Sequence, residues 1–523
     1  MGDVETIVVL LLVLVAAASA LARVLGVPYP ILLVIGGSLV GFVPGVPELR
    51  LEPELVLSVF LPPLLYDAAF STTVRDLRAS ARVITLSAVG LVLATTAVVA
   101  AVAHALVDGL PWAAAFALGA IVSPTDPLAA TQIARRLGLP RRTLTVIEGE
   151  SLVNDGSSLV VYQSAVAIVG GASFVWWRTG GLFVGEVLGG VAIGLAVAVV
   201  MNWMLAHAGE DQLLRVVLTL TAGYLAYLPA ERLHLSGVLA AVTCGLLMGH
   251  RSPTVSTATS RLRNGAFWET LVFLLNAVLF VSVGLQLPRV LESQDRDVGE
   301  LARLGVIVAL TTIAVRLLWT PFITAVIRTL DRREVQRARR ATWQARTVTS
   351  WCGLRGAVSL AAALALPADF PERDLLIFLA LCVIWATLVG QGLTLPWVIR
   401  LLGVQDDGVT AREELHARKA AAAAAVEEID RLEEEDWTRE DTLERMRGLY
   451  EFRRRRLRQR AGVSDDGEED AEARSLAYQR TVRSILDAQR RELVRLRDEG
   501  EIGNDALHAV ERELDLEEER LDS

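Results

Sequence analysis

Up to about residue 402 the chain is a succession of apolar runs separated by short polar connections. About 20 apolar residues in a helix rising about 1.5 Å each cross the hydrocarbon layer of a bilayer. The runs therefore predict an all-α polytopic membrane protein. About thirteen spans are expected, at 4–25, 27–43, 53–70, 82–107, 110–134, 143–169, 181–206, 213–229, 235–249, 267–287, 303–328, 346–366 and 375–402. The second and ninth are short for a full crossing.

The overall 53% hydrophobic content averages two unlike parts. Residues 1–402 form the membrane domain, and 403–523 are dense in Arg, Glu and Asp and read as a soluble tail. The net charge of -9 comes from interspersed acids and bases and does not suggest a nucleic-acid partner. Cys244, Cys352 and Cys382 sit singly in apolar segments, which fits neither a disulfide framework nor a zinc site. No cofactor is expected. The N-terminus places Asp3 and Glu5 before its apolar run, where a signal peptide would carry positive charge, so the first run reads as a retained span.

Loop charge tests the span count. Connections after odd-numbered spans hold Arg23; Arg75, Arg78 and Arg82; Arg135, Arg136, Arg141 and Arg142; Arg251, Arg261 and Arg263; and the cluster from Arg332 to Arg346. Connections after even-numbered spans hold Glu48, Glu52 and Glu54, then Asp108, Arg178, Glu231 with Arg232, an acid-rich stretch from Glu292 to Glu300, and Asp369, Glu372 and Asp374. The loop after the seventh span is nearly neutral. By the positive-inside rule the odd connections are cytoplasmic, which puts the N-terminus outside and the tail inside.

The sixth span contains Glu150-Ser151-Leu152-Val153-Asn154-Asp155. Asp155 lies thirteen residues beyond Arg142, about 20 Å along a helix and so near mid-bilayer. An acid at that depth is a functional-site hypothesis by default. Glu150 with Asn154 and Ser151 with Asp155 are i,i+4 pairs, so four oxygen-bearing side chains share one helix face. A polar seam bonded inside a helix bundle is the plainer reading of the same stripe.

Two spans are interrupted near their middles. The fifth carries Ser123-Pro124-Thr125-Asp126-Pro127, whose prolines remove backbone donors, and the twelfth carries Cys352-Gly353-Leu354-Arg355-Gly356. Non-helical backbone at membrane depth survives only inside protein or beside a watery cavity. Broken helices at corresponding places in two halves point to a transporter's ion site, here with spans four to six and eleven to thirteen as matching inverted repeats. Arg316 lies mid-way along the eleventh span and Arg355 inside the second break. Both are expected to need an acidic partner, and Glu150 is a candidate for either. Asp67 and Glu148 lie nearer the inner ends of their spans, as funnel residues or as hydrated helix-end acids. Asn276 reads as a packing amide, and Gly189, Gly190 and Gly194 as a close helix contact. In the tail, runs at 410–460 and 475–521 read as helices that pair as a hairpin or coiled coil or stay solvated, joined by an acidic linker from Gly462 to Asp470.

Glu150 to Asp155, Ser123 to Pro127 and Gly353-Leu354-Arg355-Gly356-Ala357-Val358-Ser359-Leu360 together resemble the monovalent cation/proton antiporters, in the branch of bacterial NhaP-type sodium/proton exchangers. Leu61 to Asp67 and Phe267-Trp268-Glu269 are similar to that branch as well. The likeness covers about residues 5–402. It implies a homodimer of thirteen-span subunits in the inner (plasma) membrane, serving pH homeostasis. It implies two crossed broken helices in a core built from spans 4–6 and 11–13, which moves against a dimerisation part as an elevator. By resemblance Asp155 is the cation- and proton-binding acid and Asn154 its partner. Thr125, Asp126 and Ser151 stand at or beside the ion, and Glu150 meets an arginine, Arg316 or Arg355. The implied activity is exchange of Na+ or Li+ for H+, electroneutral at one for one. A K+/H+ antiporter of the same fold, an intramembrane aspartyl protease using Asp126 and Asp155, and a cation channel are the alternatives.

Overall fold

A computed structural model of the chain describes residues 2–44, 53–171, 176–209, 211–255, 258–294, 296–330, 342–406, 408–435, 437–459 and 468–499, with positions 501, 510 and 514 beyond them. Regular structure among these residues is helical. The connections at 45–52 and 331–341 and residues 462–467 of the acidic linker lie outside the described residues. The chain divides into two compact units, Met1–Asp407 and Gly408–Ser523.

The first unit begins with α1 (Gly2–Leu25), α2 (Tyr29–Gly41), α3 (53–70) and α4 (Val74–Leu106). Next come α5 (Trp112–Val122), α6 (Pro127–Arg136), α7 (Arg141–Val169), α8 (Trp176–His207), α9 (Gln212–Arg232) and α10 (Gly237–Val255). It closes with α11 (Ala258–Glu292), α12 (Val298–Leu330), α13 (Trp343–Trp351), α14 (Ala357–Leu364) and α15 (Arg373–Leu402). Among the described residues, eight helices are long and apolar enough to cross a membrane, counting α5 with α6 as one, and three more are apolar but shorter. Several helices outrun their apolar stretches. α4 starts at Val74 where apolarity begins near 82, and α11 covers Ala258–Glu292 around an apolar 267–287. Helical hydrogen bonding does not depend on hydropathy, so polar end turns extend the helix past the apolar run.

α3 and α15 each contain a π-helical turn, Val56–Phe60 and Ala386–Gln391, which the sequence pattern does not announce. In α3 the turn precedes Pro62 and Pro63. Pro63 lacks the N–H that would bond the Val59 carbonyl, and the Tyr224 hydroxyl donates to that oxygen instead at 2.7 Å.

The largest apolar core runs through α4–α7 and α12–α15, with α2 and α11 laid against it. A second gathers Tyr66 of α3 with residues of α8, α9 and α10 and Trp268 of α11. Leu152 of α7 joins a third with α3, α9 and α10. The close contact read from Gly189, Gly190 and Gly194 is between α8 and α10. A Cβ on Gly190 or Gly194 would meet the carbonyl oxygen of Ser236 or Ala240 at 2.4 Å.

The second unit holds α16 (Val409–Leu432), α17 (Glu440–Gln459) and α18 (Glu468–Asp498). The run expected as one helix over 410–460 is thus two. They pack together, and Arg447 reaches Asp430 at 2.5 Å and Glu433 at 2.6 Å. Acids at 433–436 oppose the negative end of α16, and the Thr438 hydroxyl caps it by donating to the Leu432 carbonyl at 2.8 Å. The hairpin therefore forms within the first run. α18 starts inside the supposed linker, because Glu468, Glu469 and Asp470 suit a helix N-terminus.

Candidate functional site

The two interrupted helices meet at their gaps. Between α5 and α6 the backbone of Ser123–Asp126 is not helical, and between α13 and α14 neither is Gly353–Gly356. The Asp126 amide donates to the Leu354 carbonyl at 2.7 Å and so joins the gaps. Every half-helix bordering a gap exposes backbone groups that lack helical partners. Asp126 serves as the N-cap of α6, its Oδ1 accepting from the Leu128 amide at 2.8 Å. Its other oxygen lies over Gly356, where a Cβ would stand 2.1 Å from it. Only glycine leaves room for this carboxylate.

Two buried arginines neutralise the C-terminal ends. Arg355 Nε donates to the Val122 carbonyl at the end of α5 at 3.0 Å, and its Nη1 donates to the Gly353 carbonyl. Arg316 Nε and Nη2 donate to the Ser350 and Thr349 carbonyls at the end of α13, at 3.1 and 3.3 Å. The negative end of a helix dipole suits a cation there. Arg316 also donates through Nη1 to Glu150 Oε1, and both side chains are buried. Among the described residues Arg355 has no carboxylate in salt-bridge contact, and its Nη2 lacks a partner. The expectation that both arginines take an acid fails for Arg355, because carbonyls at a helix end supply its negative partner. Glu150 remains within Coulombic reach of Arg355.

α7 brings its polar face to the first gap. Ser151 Oγ donates to the Thr125 carbonyl at 2.7 Å, and Asn154 Nδ2 donates to Thr125 Oγ1 at 2.8 Å. The buried Asn154 Oδ1 has no partner. Asp155 is 7% exposed, and among the described residues its carboxylate accepts no hydrogen bond. It faces a cavity of about 230 Å³ whose wall also includes Thr125, Asp126 and Ser151. Asn154, Glu150, Arg316 and Arg355 stand behind that wall rather than on it. At the first gap the otherwise largely apolar cavity thus presents the carboxylates of Asp126 and Asp155 with Thr125 and Ser151, a group of oxygens suited to a hard monovalent cation.

A larger cavity of about 670 Å³ adjoins it, the two sharing Asp67, Ser71, Leu128 and Val272 as lining. Asp67 lies on the wall of both cavities. Glu148 lines the smaller cavity and pairs with Arg135 at 2.6 Å. Asn276 lines it too, while donating to the Val272 carbonyl at 2.8 Å as a packing amide does. Ser71, Ser252 and Arg261 put the wider opening on the face of the arginine-rich connections. Sequence reasoning passed over Thr131 and read Gly356 and Ser359 only as parts of the second break and its motif; all three line the smaller cavity. Thr131 and Ser359 each follow a break within one or two turns, where a first-turn hydroxyl lies close to the gap.

Residues 9–401 match the transmembrane sodium/hydrogen exchanger family. The chain is 36% identical to an uncharacterized sodium/proton exchanger of Mycobacterium tuberculosis H37Rv, over 98% of this chain and 95% of that one. It is 30% identical to the exchanger YjcE of Escherichia coli K12, over 99% and 98% respectively. The fold is similar to that of the sodium/proton antiporter MjNhaP1 from Methanocaldococcus jannaschii, with a TM-score of 0.60 at 18% identity, covering 77% of this chain and 100% of that one. The chain belongs to the sodium/hydrogen exchanger family of monovalent cation/proton antiporters, and is a membrane transporter rather than an enzyme.

Proposed function

We propose that the protein exchanges one Na+ or Li+ for one H+ across the plasma membrane, without net charge movement, by elevator-type alternating access in a homodimer. The observation that carries this reading is the Asp155 carboxylate, bare of hydrogen-bond partners on the wall of an oxygen-lined cavity. One carboxylate that takes either a cation or a proton, never both, couples the two fluxes. Thr125, Ser151 and Asp126 complete the cation's oxygen shell, and Asn154 orients Thr125. The Glu150–Arg316 pair and Arg355 hold the frame.

The membrane unit is read as thirteen crossings with inverted repeats, α4–α7 matching α12–α15 and the broken helices crossing at their gaps. The hydrogen bond between Asp126 and Leu354 supports the crossing. Loop charge supports an outer N-terminus and a cytoplasmic tail, and makes the wide cavity the cytoplasmic vestibule. The tail, too charged for the bilayer, regulates or assembles the transporter. Family membership sets aside the protease and the channel.

The test is proton movement in proteoliposomes of the full-length protein under Na+, Li+ and K+ gradients. Wild type is expected to respond to Na+ and Li+, and Asp155→Asn to respond to none while remaining folded. Wild-type exchange in Asp155→Asn overturns the assignment. A larger response to K+ than to Na+ favours the K+/H+ alternative.

A further inference from the structure

Part of the wall of the ion cavity is built by the start of α14, where Gly356, Ala357, Val358 and Ser359 line it. Ser359 is 1% exposed, yet among the described residues its hydroxyl neither donates nor accepts a hydrogen bond. Several buried helical hydroxyls return to a carbonyl of their own helix, while Thr95 and Thr96 have no partner but lie away from the cavity wall. Ser157 bonds to Val153 at 2.9 Å, Ser158 to Asp155 at 3.0 Å and Thr312 to Val308 at 2.8 Å. Ser359 stands differently. The residues three and four before it, Gly356 and Arg355, lie in the non-helical gap, so no preceding helical turn lies beneath its hydroxyl. Its oxygen is not among the fully enclosed unpartnered atoms and so is open to the cavity. The cavity, whose wall also carries Asp126 and Asp155, supplies the missing partner in the form of the cation or a water bound to it.

We propose that Ser359 gives the transported cation an oxygen ligand from the second interrupted helix, directly or through the ion's last retained water, and thereby helps set which alkali ion the site prefers. This rests on the exchange reading above. The ligands considered so far, Thr125, Asp126, Ser151 and Asp155, come from the first gap and from α7. Ser359 adds an oxygen from the second interrupted helix. An ion of high charge density gains most from each added oxygen, so removing this one weakens Li+ and Na+ more than K+.

The experiment measures the half-saturating concentration of Li+, Na+ and K+ in reconstituted wild type, Ser359→Ala and Ser359→Thr. Ser359→Ala is expected to raise the values for Li+ and Na+ about tenfold, equivalent to ~1.4 kcal/mol, and that for K+ by less. Ser359→Thr keeps the hydroxyl and is expected to retain the wild-type ratios, whatever its added methyl does to the rate. Unchanged ratios in Ser359→Ala overturn the proposal, even if transport slows, because a purely structural role moves all three ions alike. Loss of the wild-type ratios in Ser359→Thr overturns it as well. Failure of the exchange reading is distinguishable, since wild-type vesicles would then show no cation-driven proton movement at all.

Discussion

Glu150 and Arg316 stand 166 positions apart and meet as a buried ion pair. Removing one member of such a pair leaves a charge in low dielectric, at a cost of about 3–5 kcal/mol. Glu150→Ala is therefore expected to melt well below wild type in detergent. Asp155→Asn is expected to melt near wild type, because that carboxylate has no hydrogen bond to lose. Replacing Glu150 and Arg316 together by methionine should restore part of the lost stability, which separates pairing from simple packing. Equal melting of Glu150→Ala and wild type would refute this account. The acids were legible in the sequence because depth along a helix follows from residue count. The choice between Arg316 and Arg355 was not, since both lie at mid-depth. Both guanidiniums find carbonyls at the end of a half-helix, and the choice turns on which of them lies beside Glu150, which depends on how the chain folds back.

The breaks themselves were legible, because Pro124 and Pro127 remove backbone donors and Gly353 and Gly356 relax the chain in matching places. What the pattern withheld is the reason for each glycine. Gly353 makes room for Arg316, whose Cδ would lie 2.3 Å from an added Cβ, and Gly356 makes room for the Asp126 carboxylate. Gly356→Ala is expected to push Asp126 off its cap on α6. Overpacking of this kind costs about 1–3 kcal/mol, so exchange should fall about ten- to a hundredfold. Gly390, on the exposed face of α15, is the control, since an added Cβ there meets nothing within 4 Å. Gly390→Ala should exchange normally, and a Gly356→Ala variant as active as Gly390→Ala would show that Asp126 tolerates displacement. The π-turn in α3 and the split of the 410–460 run stayed hidden for a common reason. In each a side-chain hydroxyl, Tyr224 from a distant helix or Thr438 close by, completes a backbone bond, and apolar periodicity does not register it.

Across the whole molecule, exchange is expected to be electroneutral. The residue before Asp155 is Asn154 rather than a second acid, and Glu150 is held by Arg316. Asp126 is engaged as a cap on α6. One titrating group then carries one proton against one monovalent cation. In liposomes with both ion gradients fixed, clamping the membrane potential with valinomycin should leave the exchange rate unchanged. A rate that follows voltage would implicate Asp126 as a second proton carrier. The helical character and the family were legible from apolar runs and three short motifs, because those follow directly from lipid as a solvent and from charges placed within it. The arrangement of the cavities was not, since it depends on contacts among α3, α6, α7, α11 and α14 that no local pattern encodes. The bond between the Asp126 amide and the Leu354 carbonyl fastens the two gaps to each other. Under the alternating access proposed above, ligands fastened in this way travel as one piece, and the ion meets the same oxygens on either side of the membrane. A binding site with equal affinity inside and out has no preferred direction. The protein then works as a reversible coupler, expelling sodium or drawing it in according to the steeper gradient.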